Sequence, residues 1–520
     1  MGILNSTSLD WALKHLDNIG DNSLFPKPFE IAAIKAKWSE VKENLLSLNK
    51  YTWSSFRRLI VPKTEYFYRK ATQLDPIDSL VIASFIHQFG NKIECNRIPI
   101  SEQNVFSYRF EPDDAGQLYS RQVNWDKFWN HSLSNATYSK NKFVIVADIS
   151  DYYNQISHHT IENELISYEI PRIVVNSIKT LLSHITQGVS RGIPVGPHSV
   201  HLLAEAAFNP IDKYLKAVGY QFTRFVDDIH IFCTSKNKAK IALLDLANVL
   251  DSTQRLTLNS SKTRILKKGE FIEYAKNKIN ETLPKEIERK IIKVIKKYSQ
   301  GDPYAHISIN RLTNTEIKLL NSKNIKEIFE YYLSCDNIDY QKIRWWLNRL
   351  SQVGIPNAIL YLIKKFNEIL PAIGEFCIYI ASTQDTYKGN WKDLGKLLTK
   401  CINHEIVKHS EYITMILTDL FSKVIGLNQI EFLLTNFNDR SSIIKRKIIK
   451  VATKANMNYW LRNLKEQFSS VDPWQKRALL LSASTYAEDE KTHWIRRLLK
   501  DETSLLNQIT AKWVMDGGTI

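Results

Sequence analysis

Apolar and polar positions change their rhythm once along this chain, near residue 285. Before that point, short strand-like runs alternate with helical stretches and turns. KFVIVADIS (Lys142–Ser150) places five apolar residues ahead of Asp148, which predicts a buried strand ending in a carboxylate. TRFVDDIHIF (Thr223–Phe232) predicts a strand, a tight turn and a second strand, with Asp227 and Asp228 at the turn. After Leu283-Pro284 the spacing becomes helical almost throughout. In DYQKIRWWLNRLSQVGIP, Ile343, Trp346, Leu347 and Leu350 recur at helical intervals, and Gly354 and Pro356 end the run. NAILYLIKKFNEILP repeats the pattern with Leu360, Ile363 and Phe366 and stops at Pro371. Asp472 and Pro473 read as an N-cap and first helical residue, and a later run carries Trp494, Ile495, Leu498 and Leu499. Successive helix pairs without a strict repeat are similar to a HEAT-type α-solenoid, with a plain helical bundle as the alternative. The pattern predicts an α+β part over residues 1–285 and an all-α part over 286–520.

Composition narrows the function class. Lys plus Arg number 70 against 54 Asp plus Glu, a net charge of +16, which favours a polyanionic partner such as nucleic acid or nucleotides. The cysteines, Cys95, Cys233, Cys335, Cys377 and Cys401, stand singly without a CxxC pair. A zinc cluster or disulfide framework is therefore not expected, and a reducing cytoplasm fits. The first residues lack a basic segment followed by an apolar core, so no signal peptide is expected. No uncharged apolar stretch approaches the roughly 18 to 20 residues of a membrane span.

The acids carry the chemistry. Alone, Asp148 reads as an ordinary strand end, and Asp227-Asp228 as a solvated turn. Together they say more. If the two strands are neighbours in one antiparallel sheet, Asp148 meets Asp227, and carboxylates so gathered repel one another unless cations intervene. Hard oxygen donors select Mg²⁺ or Mn²⁺. Two such ions can activate an attacking hydroxyl and stabilise a leaving pyrophosphate, which is nucleotidyl transfer.

FVDD resembles the catalytic signature of reverse transcriptases, with Phe225 where Tyr is usual. ADISDYYNQISHH (Ala147–His159) resembles the motif around that family's first catalytic Asp. GIPVGPHS (Gly192–Ser199) resembles its Gly-Pro-rich segment, and LNSSKT (Leu258–Thr263) the later motif with a Lys near the triphosphate. NVFSYRF (Asn104–Phe110) looks like the fingers region of unusual bacterial members. These stretches stand in the family's order between roughly residues 95 and 275. The resemblance implies a fingers-palm domain with Asp148, Asp227 and Asp228 as catalytic metal ligands. It also implies Tyr153 as a steric gate favouring deoxynucleotides, Lys262 at the triphosphate, Arg109 at phosphate, and Ile149 and Gly196 in the substrate-binding set.

Val195 stands where the family usually has Gln, and KGEFIEYA (Lys268–Ala275) only faintly echoes the primer grip. A fingers-palm unit followed by a helical-repeat domain resembles the abortive-infection reverse transcriptases of bacterial anti-phage defence. That resemblance implies deoxynucleoside triphosphates as substrates, synthesis without a template, and single-stranded DNA begun on a Tyr hydroxyl and left attached to it. It also implies a homo-oligomer in the bacterial cytoplasm. With 23 tyrosines, the priming residue is not identifiable; Tyr51, Tyr66 and Tyr68 read first as packing or surface residues. A retron-like, RNA-templated enzyme and an inactive nucleic-acid-binding scaffold are the alternatives. His158-His159, behind Ser157, reads as a helix start rather than a metal pair. Trp345, Trp346 and Trp391 read as helical core, and KKGE and IKKYS as solvated basic faces.

Overall fold

A strand covered on both faces is written as an unbroken apolar run, and FVIVA is one. The computed structural model of the chain describes residues 3–279, 283–299 and 306–520. Among the described residues the strands are β1 (Arg57–Pro62), β2 (Tyr68–Gln73), β3 (Phe143–Asp148), β4 (Gln221–Phe225), β5 (Asp228–Cys233) and β6 (Arg264–Lys267). β1 and β2 form a two-stranded sheet, and the other four a sheet in the order β4-β5-β3-β6. β3 is antiparallel to both neighbours and buried from Val144 to Asp148. Helices Trp125–Thr137 and Lys268–Ile279 cover one side of this sheet, with Phe106, Phe128, Trp129, Val144, Phe232 and Phe271 in the shared core. KGEFIEYA thus forms most of a helix. Helix Lys236–Gln254 also packs on β3 and β5, and helix His201–Ala217 lies against it.

The chain divides into two compact units. One comprises Met1–Ser23, Trp38–Arg57 and Thr72–Thr282; the other comprises Leu24–Lys37, Arg58–Ala71 and Leu283–Ile520. The second unit is therefore more than the C-terminal stretch. It takes in helix Glu30–Ala36 and most of the β1–β2 hairpin.

Within the second unit, helices Tyr340–Val353, Ile373–Ser382, Glu411–Lys423, Ser442–Lys454, Pro473–Ser482 and Leu505–Met515 pack each upon the next. Their ends follow the expected chemistry. The Asp339 side chain accepts from the amides of Gln341 and Lys342, and Gly354 closes that helix at φ 66°. Asp472 likewise accepts from the amides of Trp474 and Gln475. Trp346 is fully buried, while Trp345 and Trp391 are half-buried. The stretch 357–371 departs from its expected phase. Ile359 and Leu362 turn inward from the first helix and leave Leu360 53% exposed; the helix breaks at Lys365 (φ −103°, ψ 32°), and Phe366 and Ile369 turn inward beyond it.

Helix Glu30–Ala36 packs on the final helix, Leu505–Met515, and is fastened by charge. Glu30 is fully buried and accepts from both Arg446 Nη atoms and from Arg477 Nε, each at 2.7 Å. Burial alone would raise its carboxyl, but the two guanidiniums hold it down at about 2. The described cysteines are all free thiols, and no described helix is long and apolar enough to cross a membrane.

Candidate active site

The register of the central sheet decides where the acids go. β3 and β5 pair antiparallel with Asp148 directly opposite Asp228, so both lie in the last rung of the ladder. Asp227 precedes Asp228 in the turn that joins β4 to β5. Asp148 is 5% exposed, and Asp227 and Asp228 are half-buried. The turn is strained: Val226, a β-branched residue, sits at φ 56°. Its carbonyl accepts from Arg224 Nη1 at 2.9 Å, which pins the turn from behind.

Beyond the end of β3 the chain is held by its neighbour loop. Ile149 bridges to Leu258, and the Asn259 amide donates to the Asp148 carbonyl at 2.7 Å. LNSSKT then folds back on Asn259, whose side chain accepts from the Ser261 amide and hydroxyl at 3.1 and 2.8 Å. That turn delivers Lys262, whose Nζ donates to Asp148 Oδ1 at 2.7 Å. The electrostatics register the crowding. Burial first, then the charges of Asp227 and Asp148, push the Asp228 carboxyl up to about 7, against the opposing pull of Lys262 and Lys278. Burial would lower the Lys262 ammonium, but the Asp148 contact and the other two acids raise it.

Among the described residues no group of three or more His, Cys, Asp or Glu is gathered closely enough to hold a metal ion as it stands. The donor chemistry nonetheless fits a hard divalent cation. All the acids offer oxygen, they repel one another, and the Lys262 ammonium already sits on Asp148.

Tyr153 lies in an aromatic layer. Its hydroxyl is 2.7 Å from His201 Nδ1, and the His201 ring stacks on Tyr108 at 4.2 Å and 9°. Tyr108 takes a left-handed φ of 42° to present that face. Burial, reinforced by Tyr108, pushes the Tyr153 phenol far above its ordinary value. Burial also lowers His201 to about 3, so its ring is neutral near pH 7. The Asp227 charge is felt at the Tyr108 hydroxyl, which links this layer to the acids.

The remaining predicted residues are placed differently. Arg109 is 2% exposed, ion-paired with Glu94, and donates to the carbonyls of Ile98 and Val105 at 3.0 and 3.4 Å. A phosphate contact would have to displace that pairing. The Ile149 side chain is buried. Gly196, at φ 135°, has a packing reason of its own: a Cβ there would lie 2.3 Å from Asn22 Nδ2 and 2.7 Å from the Thr72 carbonyl. The neighbouring Val195 carbonyl accepts from the Thr72 amide at 2.8 Å. His158 is buried with Nε2 2.7 Å from the Gly192 carbonyl, and helix His158–Ser167 begins after Ser157. Tyr108, His201 and the charge network around Arg224 were not legible as site residues. Only the Arg of RFVDD, placed two residues before the acids' turn, hinted at them.

Residues 104–276 match the family described as reverse transcriptase (RNA-dependent DNA polymerase). The chain carries a reverse transcriptase domain. The matched stretch holds all three aspartates together with Tyr153, Gly196 and Lys262, and it supports a nucleotidyl-transferring polymerase. Among solved structures the chain is similar to apo telomerase from Candida tropicalis, at 9% identity and a TM-score of 0.31, over 82% of this chain and 74% of that one. It is also similar to telomerase from Candida albicans in complex with a TWJ fragment of telomeric RNA, at 11% identity and a TM-score of 0.29, over 80% and 70%. No curated protein matches.

Proposed function

We propose that this chain builds DNA from deoxynucleoside triphosphates at the cluster of Asp148, Asp227 and Asp228. The observation that carries the reading is the rung that sets Asp148 opposite Asp228, with Asp227 next to it and Lys262 on Asp148. Asp148 and Asp227 would hold Mg²⁺ or Mn²⁺ with Asp228 assisting; bound there, the ions supply charge neutralisation and Lewis acidity for nucleotidyl transfer. The chain's own residues do the rest. Lys262 is kept protonated by the acids and is poised to pass from Asp148 to an incoming triphosphate. Tyr153, held by His201, walls the site against a 2′-hydroxyl. The Arg224 bond to Val226 keeps the strained turn in place.

Within this class we read the enzyme as an untemplated, protein-primed synthase of anti-phage abortive infection, working as a homo-oligomer in a bacterial cytoplasm. The order of the motifs, Val195 in place of Gln and an array of helices packed each on the next support that reading. The primer would be a Tyr hydroxyl. Tyr51 is buried and donates to Asp78 at 2.6 Å, whereas Tyr66 and Tyr68 are exposed. An RNA-templated enzyme is the second reading, favoured by the family's description.

Incubating the purified chain with Mg²⁺ and labelled deoxynucleotides, without template or primer, separates the two. Nuclease-sensitive label that migrates with the protein, and is absent in Asp227→Asn, supports protein-primed synthesis. Incorporation that requires added RNA supports templated copying. No incorporation in either case would refute both.

A further inference from the structure

The β1–β2 hairpin leaves three consecutive aromatic rings in solvent. Tyr66, Phe67 and Tyr68 are 78%, 70% and 60% exposed, and Ile60 on the paired strand is 52% exposed. Large apolar side chains uncovered together on one hairpin mark an interaction surface. The hairpin is not a loose loop. Leu59, Val61 and Ala71 are buried, and the amides of Lys63 and Thr64 both donate to the Phe67 carbonyl, at 2.7 and 3.1 Å. Arg344 Nη2, in the same compact unit, donates to the carbonyls of Lys63 and Pro371 at 2.8 and 2.7 Å.

The charges on this hairpin say what covers the rings. Lys63 and Lys70 are exposed on the same hairpin, and the acid among them, Glu65, is hydrogen-bonded to the Tyr66 hydroxyl. An apolar protein face would strand these cations, and an acidic peptide would leave the rings uncovered. A partner with flat π-faces and a repeating negative backbone satisfies both. We propose that this hairpin binds a single strand of nucleic acid, with bases stacked on Tyr66, Phe67 and Tyr68 and phosphates on Lys63 and Lys70. The face lies outside residues 104–276, in the compact unit that does not carry the aspartates. It takes its partner class from the polymerase reading but needs no catalysis.

Fluorescence anisotropy on the full chain tests it. The probes are labelled oligodeoxythymidylate and oligouridylate of about 20 nucleotides, and an abasic strand of equal length. Changing Tyr66, Phe67 and Tyr68 together to Ala should weaken binding of a base-bearing strand about 30-fold or more. Binding of the abasic strand should stay the same, and the DNA and RNA arms identify which strand is held. The exposed positions leave the melting temperature in place. Lys63→Glu with Lys70→Glu should weaken all three probes and flatten the salt dependence. Asp227→Asn should bind as the unaltered chain does, so loss of activity there leaves this inference standing. Equal affinity of the triple variant and the unaltered chain for both base-bearing strands would overturn it. So would a triple variant whose sedimenting mass falls while strand binding holds, because a second copy of the chain would then be what covers the rings.

Discussion

Two charge clusters flank the Asp227 hairpin and are balanced in opposite ways. Behind it, Arg97, Arg109 and Arg224 meet Glu94, Glu205 and Asp212, three cations for three anions. Arg224 is fully buried, and its guanidinium spans Glu205 at 2.8 Å and Asp212 at 2.6 Å. In front, Lys262 pairs with Asp148 at 2.7 Å, and that lysine is 57% exposed. A buried cluster that closes on itself holds a shape, since removing one partner strands another charge. Acids that crowd one another, as burial and the charges of Asp227 and Asp148 do at Asp228, cost stability until positive charge neutralises them. The same contrast recurs in the second unit, where Glu30 is met by two arginines and fastens a helix.

The sharpest way to break this comparison is to neutralise each cluster in turn. Asp227→Asn should cut nucleotide incorporation by at least about 10³-fold while the chain melts no lower without divalent ions. Glu205→Ala should do the reverse in stability, costing about 3 to 5 kcal/mol because Arg97 and Arg224 lose a common partner; chemical denaturation measures it. Glu30→Gln should cost about 3 kcal/mol and speed amide exchange in residues 24–37. Its pH dependence has a defined sign. The folded carboxyl lies at about 2 and its ordinary value is 4.5. Its contribution is therefore complete above pH 4.5 and is lost as the pH falls from there toward 2. The unaltered chain should lose stability across that window more steeply than Glu30→Gln. His201→Ala should act most mildly, releasing the Tyr153 phenol and relaxing deoxynucleotide over ribonucleotide preference about tenfold. Competition between dATP and ATP reads it, with Tyr153→Ala as the reference.

What the sequence discloses and what it hides follow from the range of the interactions. β3 and the β4–β5 hairpin are legible because burial on both faces produces apolar runs, and the acids interrupt them where the strands end. Even Asp472 as a cap and Ser157 before a helix are local and therefore readable. The rung joining Asp148 to Asp228 is a matter of register between strands far apart in sequence, so the residues alone foretell only that these acids could meet. Arg109 at phosphate is an expectation carried by the resemblance of NVFSYRF to a fingers region, which says nothing of what packs around it. Its burial depends on Glu94, on a helix that precedes the loop. Tyr108 and His201 are unremarkable apart, and only the fold stacks them. Helix Glu30–Ala36 and the β1–β2 hairpin join the helical unit through contacts hundreds of residues away, which local periodicity cannot record. Leu360 shows the same limit at short range, because Ile359 and Leu362 take the inward face of its short helix.

The proposal that the aspartate cluster takes up a divalent cation has a direct test in the melting temperature against Mg²⁺ at constant ionic strength. For the unaltered chain a saturable rise of several degrees is predicted, and Asp148→Asn and Asp227→Asn should abolish it. A rise of equal size in those variants, or no rise in the unaltered chain, would contradict the account.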